Sequence, residues 1–160
     1  MNWVKNGVAF YEDLAEDESQ RLVFLWGVKD KDEVLDVLEW LGLDKKLVRD
    51  GKFWALKDVR FEAGGLVDVR KALSFLFGAA LLRGDFEVKS DRLVHLKVFL
   101  PVFEARKEEF IAEVKEVLGT EAVVIKENVV QKGKNKVFEW NLDDEEVLDL
   151  FGSWLGLEGN

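Results

Sequence analysis

The 160 residues include no cysteine and only one histidine, one proline and one methionine. Without cysteine there are no disulfides and no thiolate metal sites. A single histidine makes a His-based metal site within one chain a poor expectation. No apolar run is long enough to span a bilayer, and Met1-Asn2-Trp3-Val4-Lys5 does not read as a signal peptide. The expectation is a cytoplasmic protein with no membrane association. Positive charge is also scarce, since 23 Lys and Arg face 32 Asp and Glu for a net charge of -9. A protein that neutralises many phosphates usually carries a basic surface, and this total does not supply one. A charged fraction of 34%, with few Gln and almost no Thr, leans towards a thermophilic source.

One stretch nearly free of charge dominates what is present. Leu73-Ser74-Phe75-Leu76-Phe77-Gly78-Ala79-Ala80-Leu81-Leu82-Arg83-Gly84-Asp85-Phe86 lies near the middle of the chain. A helix built from it has apolar residues on every side, which predicts burial all round. Gly78, Ala79 and Ala80 are small and allow another helix to approach, and Gly84 ends the helix. The stretch is read as a central helix shared by two halves.

Before it, residues 1–11, with Val4, Val8, Phe10 and Tyr11, read as a short strand, and residues 12–18 as an acidic connection. Residues 21–28 are continuously apolar and aromatic, and read as a second strand. From residue 29 the period changes. Val34, Leu35, Val37, Leu38 and Leu41 share a helical face, Asp30, Asp32 and Glu33 crowd its start, and Gly42 stops it. Arg49-Asp50-Gly51-Lys52 predicts a hairpin turn, because Asp-Gly tolerates positive φ. Gly64-Gly65 marks a break, which divides the chain into residues 1–65 and 66–160.

After the central helix, residues 85–88 and 92–100 read as strands joined by Lys89-Ser90-Asp91, the second closed by Pro101. An amphipathic helix over 106–118 stops at Gly119. Residues 123–130 and 137–140 form a second hairpin across Lys132-Gly133-Lys134-Asn135. Asp143-Asp144-Glu145-Glu146 reads as the N-terminus of a last helix, with Val147, Leu148, Leu150, Phe151, Trp154 and Leu155 as its apolar stripe.

The halves therefore repeat one order: strand, helix, glycine stop, hairpin. Arg21-Leu22-Val23 corresponds to Arg92-Leu93-Val94, Leu41-Gly42 to Leu118-Gly119, and Lys52-Phe53-Trp54 to Lys136-Val137-Phe138. The offset grows from 92 − 21 = 71 to 119 − 42 = 77 to 136 − 52 = 84, as longer loops in the second half would produce. The fold class expected is α+β, with two related ββαββ-type halves whose curved antiparallel sheets pack around the central helix.

Residues 66–156 resemble the LAGLIDADG homing-endonuclease repeat: motif helix, two strands, helix, two strands, helix. Gly78 matches the motif's internal glycine and Gly84 its final one, with Ala79 among the small packing residues. The resemblance implies a motif helix packed on a partner helix, and an acid before the final glycine that holds a catalytic Mg²⁺. That residue is Arg83, and a guanidinium repels a divalent cation. Asp85, one residue beyond the glycine, is the displaced catalytic and metal candidate. The first half reads as lacking a motif helix. The resemblance thus implies a catalytically inactive binding or regulatory domain, similar to the degenerate domains of certain sporulation regulators. One alternative is a metal-dependent DNA endonuclease acting as a dimer through Asp85, and only that reading needs Mg²⁺. Another is a stand-alone protein-interaction module.

The family's sheets form a saddle over duplex DNA. With alternating strand faces, Leu93, His95, Lys97 and Phe99 would line it, and Val94, Leu96, Val98 and Leu100 would face the helices. Lys97, Lys126, Lys132, Lys134 and Lys136 are the nucleic-acid-binding candidates, making double-stranded DNA a partner for the C-terminal half. The same lysines also suit an ordinary solvated hairpin. In the first half, Leu22, Phe24, Trp26 and Val28, joined by Trp54 and Leu56, would form an apolar face. Phe24, Trp26 and Trp54 then mark an interaction surface for a protein partner or homodimer. With the opposite register they are core. His95 has no nucleophile or paired acid at a recognisable spacing, and reads as a hydrogen-bonded or solvated residue.

Overall fold

The computed structural model describes residues 2–9, 19–25, 28, 30–60, 68–102, 105–133 and 135–159. Within these, the side chains at positions 2, 19–22, 24, 33, 60, 106 and 132 fall outside the description. The expected acidic connection, the Gly64-Gly65 break, Trp26 and Lys134 also lie outside it.

The chain opens on a helix, α1 (Asn2–Ala9), not on a strand. The strand expectation is drawn from Val4, Val8, Phe10 and Tyr11. The buried apolar residues are Trp3, Val4, Val8 and Ala9, and with the buried Gly7 the positions 3, 4, 7 and 8 follow the i, i+1, i+4, i+5 spacing of a helix. Next come β1 (Ser19–Phe24), α2 (Lys31–Leu41), a 3₁₀ turn (Asp44–Lys46), β2 (Leu47–Asp50) and β3 (Phe53–Arg60). Asp30 caps α2 by accepting from the Asp32 amide, and Gly42 ends it at φ 73°, a left-handed conformation that glycine adopts without strain. The Asp-Gly turn joins β2 to β3 as expected, with Gly51 at φ 60°.

The central helix, α3 (Val69–Arg83), starts at an Asp68 cap and is buried without a break from Ala72 to Ala80. Then follow β4 (Gly84–Lys89), β5 (Arg92–Val102), α4 (Ala105–Gly119), β6 (Lys126–Lys132), β7 (Asn135–Leu142) and α5 (Glu145–Trp154). The strands form two antiparallel sheets, ordered β1-β3-β2 and β4-β5-β7-β6. The orders superimpose if β1, β3 and β2 stand for β5, β7 and β6. Among the described residues the first half shows no counterpart of β4 or of α5. Among the described residues the second half alone carries a strand pair on each side of its helix.

Two local features of β5 differ from expectation. The ladder to β4 shifts between Glu87 and Val88, so that Glu87 faces His95 and Val88 faces Leu93, leaving Val94 as an extra residue. Such a bulge reverses the alternation. Leu93 is therefore buried and Val94 exposed, while Leu96, Val98 and Leu100 face the core as the spacing requires. Pro101 does not close β5, which continues to Val102 paired with β7. The β4 partner ends at Val98, so Pro101 sits where β5 has one open side, and an edge tolerates a missing N–H.

The two halves join through α1 and α3. A Cβ added to Gly7 would lie 2.0 Å from the Phe75 carbonyl oxygen, and one added to Gly78 would lie 2.0 Å from that of Val4. The helices thus touch backbone to backbone, closer than the roughly 8–10 Å axial separation typical of packed helices allows for side chains. Phe75, Leu76 and Phe77 on α3 fill the space on either side, with Phe75 edge-on to Phe110 of α4 and Phe77 edge-on to Phe151 of α5.

Gly78→Ala should therefore destabilise the protein by about 3 kcal/mol, the upper range for an overpacked core site. For a chain of this size that lowers Tm by about 6–12 °C. Gly119→Ala is the control, because nothing lies within 4 Å of the added methyl; it should leave Tm unchanged or slightly raised. Urea and thermal unfolding of the two variants measure the contrast.

Candidate functional site

The resemblance implies chemistry in two regions: the C-terminal end of the α1/α3 pair, and the sheet face turned away from the helices. At the helix ends, Arg83 is the last residue of α3 and is only 5% exposed. Its Nη1 donates to the carbonyl oxygen of Val8 in α1 at 2.9 Å. Burial pushes its pKa down to about 10, since desolvation penalises the charged form. The guanidinium therefore bridges the two helices where the resemblance calls for a carboxylate. Gly84 follows in extended conformation, so its role is spatial. A Cβ there would meet the Lys97 and Ala80 carbonyl oxygens at 2.6 and 2.7 Å.

The partner that α3 packs on is α1, a helix in the half that reads from its sequence as lacking a motif helix. Its signal was available: Gly7 and Gly78 differ by 78 − 7 = 71, the same offset as Arg21 and Arg92. That offset carries position 83 onto Glu12, which lies outside the described residues.

Asp85 does not join Arg83. As the second residue of β4 it is exposed and pairs in register with Lys97. Lys97 in turn pairs with Asn141, and Asn141 with Lys126, which makes one row across the sheet. Among the described residues, no group of three or more His, Asp or Glu side chains is placed to hold a metal ion.

Two of the lysines expected on this face, Lys97 and Lys126, are accompanied by carboxylates, and so is Lys89 beside them. Lys97 lies 3.4 Å from Glu139, Lys126 3.6 Å from Asp143, and Lys89 3.3 Å from Glu87. Such exposed pairs contribute only about 0–1 kcal/mol each to stability, but each cancels a positive charge locally. Lys136 belongs to the other side. It has the same parity along β7 as the buried Phe138, Trp140 and Leu142, and its Nζ donates to Glu108 of α4 at 2.9 Å. Lys132 pairs with Asn135 at the hairpin end.

The apolar face expected in the first half is divided. Leu56 is fully buried, and Val23 and Leu25 are buried with it on the core side. Val28 lies beyond the end of β1 and is also buried, so the alternation does not extend to it. Trp54 has the parity of Leu56 and is half-buried, with the Arg49 guanidinium 4.9 Å from its ring centroid. Phe24 pairs in register with Ala55, and its side chain lies outside the description.

One arrangement appears in no sequence expectation. His95 Nδ1 lies 2.5 Å from Asp143 Oδ1, and its Nε2 lies 2.9 Å from Asn141 Oδ1. Only the imidazolium can donate from both nitrogens. The hydrogen bond that His95 donates to Asp143 is the largest cause both of the raised His95 pKa and of the lowered Asp143 pKa. The neighbouring Asp144, not Asp143, caps α5, accepting from the Val147 amide. Asp143 was grouped with the helix N-terminus because its partner is 48 residues away in sequence.

The pair has a definite pH signature. The raised His95 contributes stability that is complete below its unfolded pKa and lost as pH rises through its folded value. The lowered Asp143 contributes stability that is lost as pH falls through its own folded value. The combined contribution is therefore largest between about pH 4 and 6.5. His95→Gln should lower the urea midpoint more at pH 5.5, within about that window, than in mildly alkaline buffer. An equal loss at both would show that the pair does not titrate as described.

No protein-family model matches the chain, and no curated protein matches it in sequence. Among solved structures, the N-terminal LAGLIDADG domain of DUF199/WhiA is similar, with a TM-score of 0.50 and 13% identity over 98% of this chain and 83% of that one. Full-length DUF199/WhiA from Thermatoga maritima also gives 0.50 and 13%, over 98% of this chain but 55% of that one, so the chain spans about half its length. A single-residue variant of I-DmoI in complex with its target DNA, in the presence of 2 mM Mg, gives 0.46 and 11% over 87% of each chain. No helix among the described residues is long and apolar enough to cross a membrane. The glycine-paired helices, the matching strand orders and the likeness to the WhiA domain together make this a LAGLIDADG-like fold.

Proposed function

We propose that the protein is a LAGLIDADG-like binding domain that does not cut DNA. The observation that carries this is Arg83, a buried cation hydrogen-bonded across the helix pair at the position where metal-dependent cleavage needs an acid. A divalent ion beside it would meet like charge in a low-dielectric site. Cutting both strands takes two acids, and by the 71-residue offset the two halves supply Glu12 and Arg83. Asp85 faces outward beside Lys97, on the sheet and not at the helix ends.

The binding face in this proposal is the outer side of the second sheet, and its partner is a protein. Its charges alternate in sign, with Lys97, Lys126 and Lys89 each next to a carboxylate. Such a mosaic suits a partner that is itself mixed in charge. A second reading, duplex DNA, is favoured by one feature: the Lys97–Asn141–Lys126 row, which aligns two cations and an amide across the strands.

Two measurements decide. Incubated with supercoiled plasmid and millimolar Mg²⁺ or Mn²⁺, the chain should leave the plasmid intact. Nicking that disappears in Asp85→Ala or Glu12→Gln overturns the non-cutting reading. In fluorescence anisotropy, duplex affinity should be no better than the non-specific range of about 10⁻⁴–10⁻⁶ M at physiological salt. Tighter, salt-sensitive binding lost in Lys126→Glu selects DNA over protein.

A further inference from the structure

On the helical side, α1, α2, α3 and α5 leave a cleft of about 210 Å³ lined by Val4, Trp40, Arg70, Ser74, Phe77 and Trp154. Among the described residues no strand contributes to it, and it lies apart from the outer sheet face. Its floor is Phe77, edge-on to Trp154 at 5.1 Å and to Trp40 at 6.3 Å between ring centroids. Trp40 is 50% exposed. A large indole held half in water is an incomplete burial, and such surfaces are where ligands gain most from desolvation.

The polar groups are as informative as the rings. Arg70, Ser74 and Phe77 lie on one stripe of α3, at i, i+4 and i+7. The Arg70 guanidinium carbon lies 5.1 Å from the Trp154 ring centroid, which holds the group at the rim. Among the described residues Arg70 has no carboxylate within ion-pair distance, although acids outnumber bases in this chain. Ser74 is more than nine-tenths buried, and none of the hydrogen bonds among the described residues involves its hydroxyl. Among the described residues the lining therefore offers one positioned cation, one unused hydroxyl, three aromatic rings and no anion.

We infer that this cleft binds a small planar aromatic carboxylate, with the ring between Trp40 and Trp154 over Phe77 and the carboxylate accepting from Arg70 and Ser74. Size agrees: an apolar cavity of about 150 Å³ takes up benzene, so this one accommodates one or two fused rings. Chemistry agrees as well. A guanidinium pre-positioned on an indole loses little freedom on pairing with a planar carboxylate, and the aromatic walls supply the apolar contact. A non-aromatic anion would leave those walls wet. A neutral aromatic would leave the cation and hydroxyl unused.

The test is a titration of the ¹⁵N-labelled full chain with sodium 2-naphthoate and, separately, with its neutral isostere 2-naphthamide. The readout is the indole N–H resonances, assigned by single Trp→Phe variants. Naphthoate should shift Trp40 and Trp154 and leave the fully buried Trp140 unmoved. It should bind about tenfold more tightly than naphthamide, a difference of about 1.4 kcal/mol. Arg70→Gln, at an exposed backbone position, should keep the thermal midpoint and reduce naphthoate to the naphthamide level. Ser74→Ala should weaken naphthoate alone. Equal affinity for both probes, which would suit an apolar side chain of a partner protein instead, overturns the inference. So does an absence of shifts at Trp40 and Trp154, or naphthoate binding that survives Arg70→Gln.

Discussion

The structure depends on a contact between two glycines and the backbone of the helix opposite. Gly7 and Gly78 allow α1 and α3 to meet with no side chain between them, each glycine lying against a carbonyl of its partner. Only at that separation can Arg83 at the end of α3 reach the carbonyl of Val8 in α1. The same closeness brings the two sheets onto a common core, in which Val23 and Leu56 from one and Leu96, Val98 and Trp140 from the other are buried together. Apolar area drives the packing, but the glycines set its geometry. A methyl at either position would push apart every layer built on the pair.

Charge is arranged around that core in a way the total does not convey. The excess of acids does not leave the lysines isolated; Lys89, Lys97 and Lys126 on the outer sheet face sit next to Glu or Asp. The histidine is held between Asp143 and Asn141, so both its ring nitrogens are engaged and neither is left to act as a general base. The one cation taken deep into the protein, among the described residues, is at the helix ends, where hydrogen bonding to a carbonyl offsets part of its desolvation. Arg70, held over Trp154, is the contrasting case of a cation beside aromatics without a carboxylate.

Much of this was legible in the residues. The Asp-Gly turn, the Gly42 stop, the all-round apolar run of α3 and the repeated strand–helix–hairpin order follow from spacing and from local backbone preference. So did the Arg83 substitution, which needs only its place before Gly84. What failed did so for identifiable reasons. In α1, eight residues are too few to separate a helical period from an even-numbered one, and Val4 and Val8 satisfy both. In β5, one extra residue reversed the alternation, placing Leu93 inside and Val94 outside. In β7, the parity that buries Trp140 also turns Lys136 towards Glu108 of α4. In β3, it turns Trp54 to the side of Leu56.

The amino-acid sequence by itself determined where most helices and turns begin and end, that the middle of α3 must be buried, and that Arg83 stands before Gly84, where the resemblance calls for an acid. Each is a property of a residue and its near neighbours. Only the tertiary structure decided which lysines are paired with carboxylates, that His95 meets Asp143, and that Trp40, Arg70 and Trp154 surround one cleft. These depend on register and on the crossing of helices distant in the chain. A shift of one residue, or one methyl at Gly7 or Gly78, would rearrange them while leaving every local preference as it was.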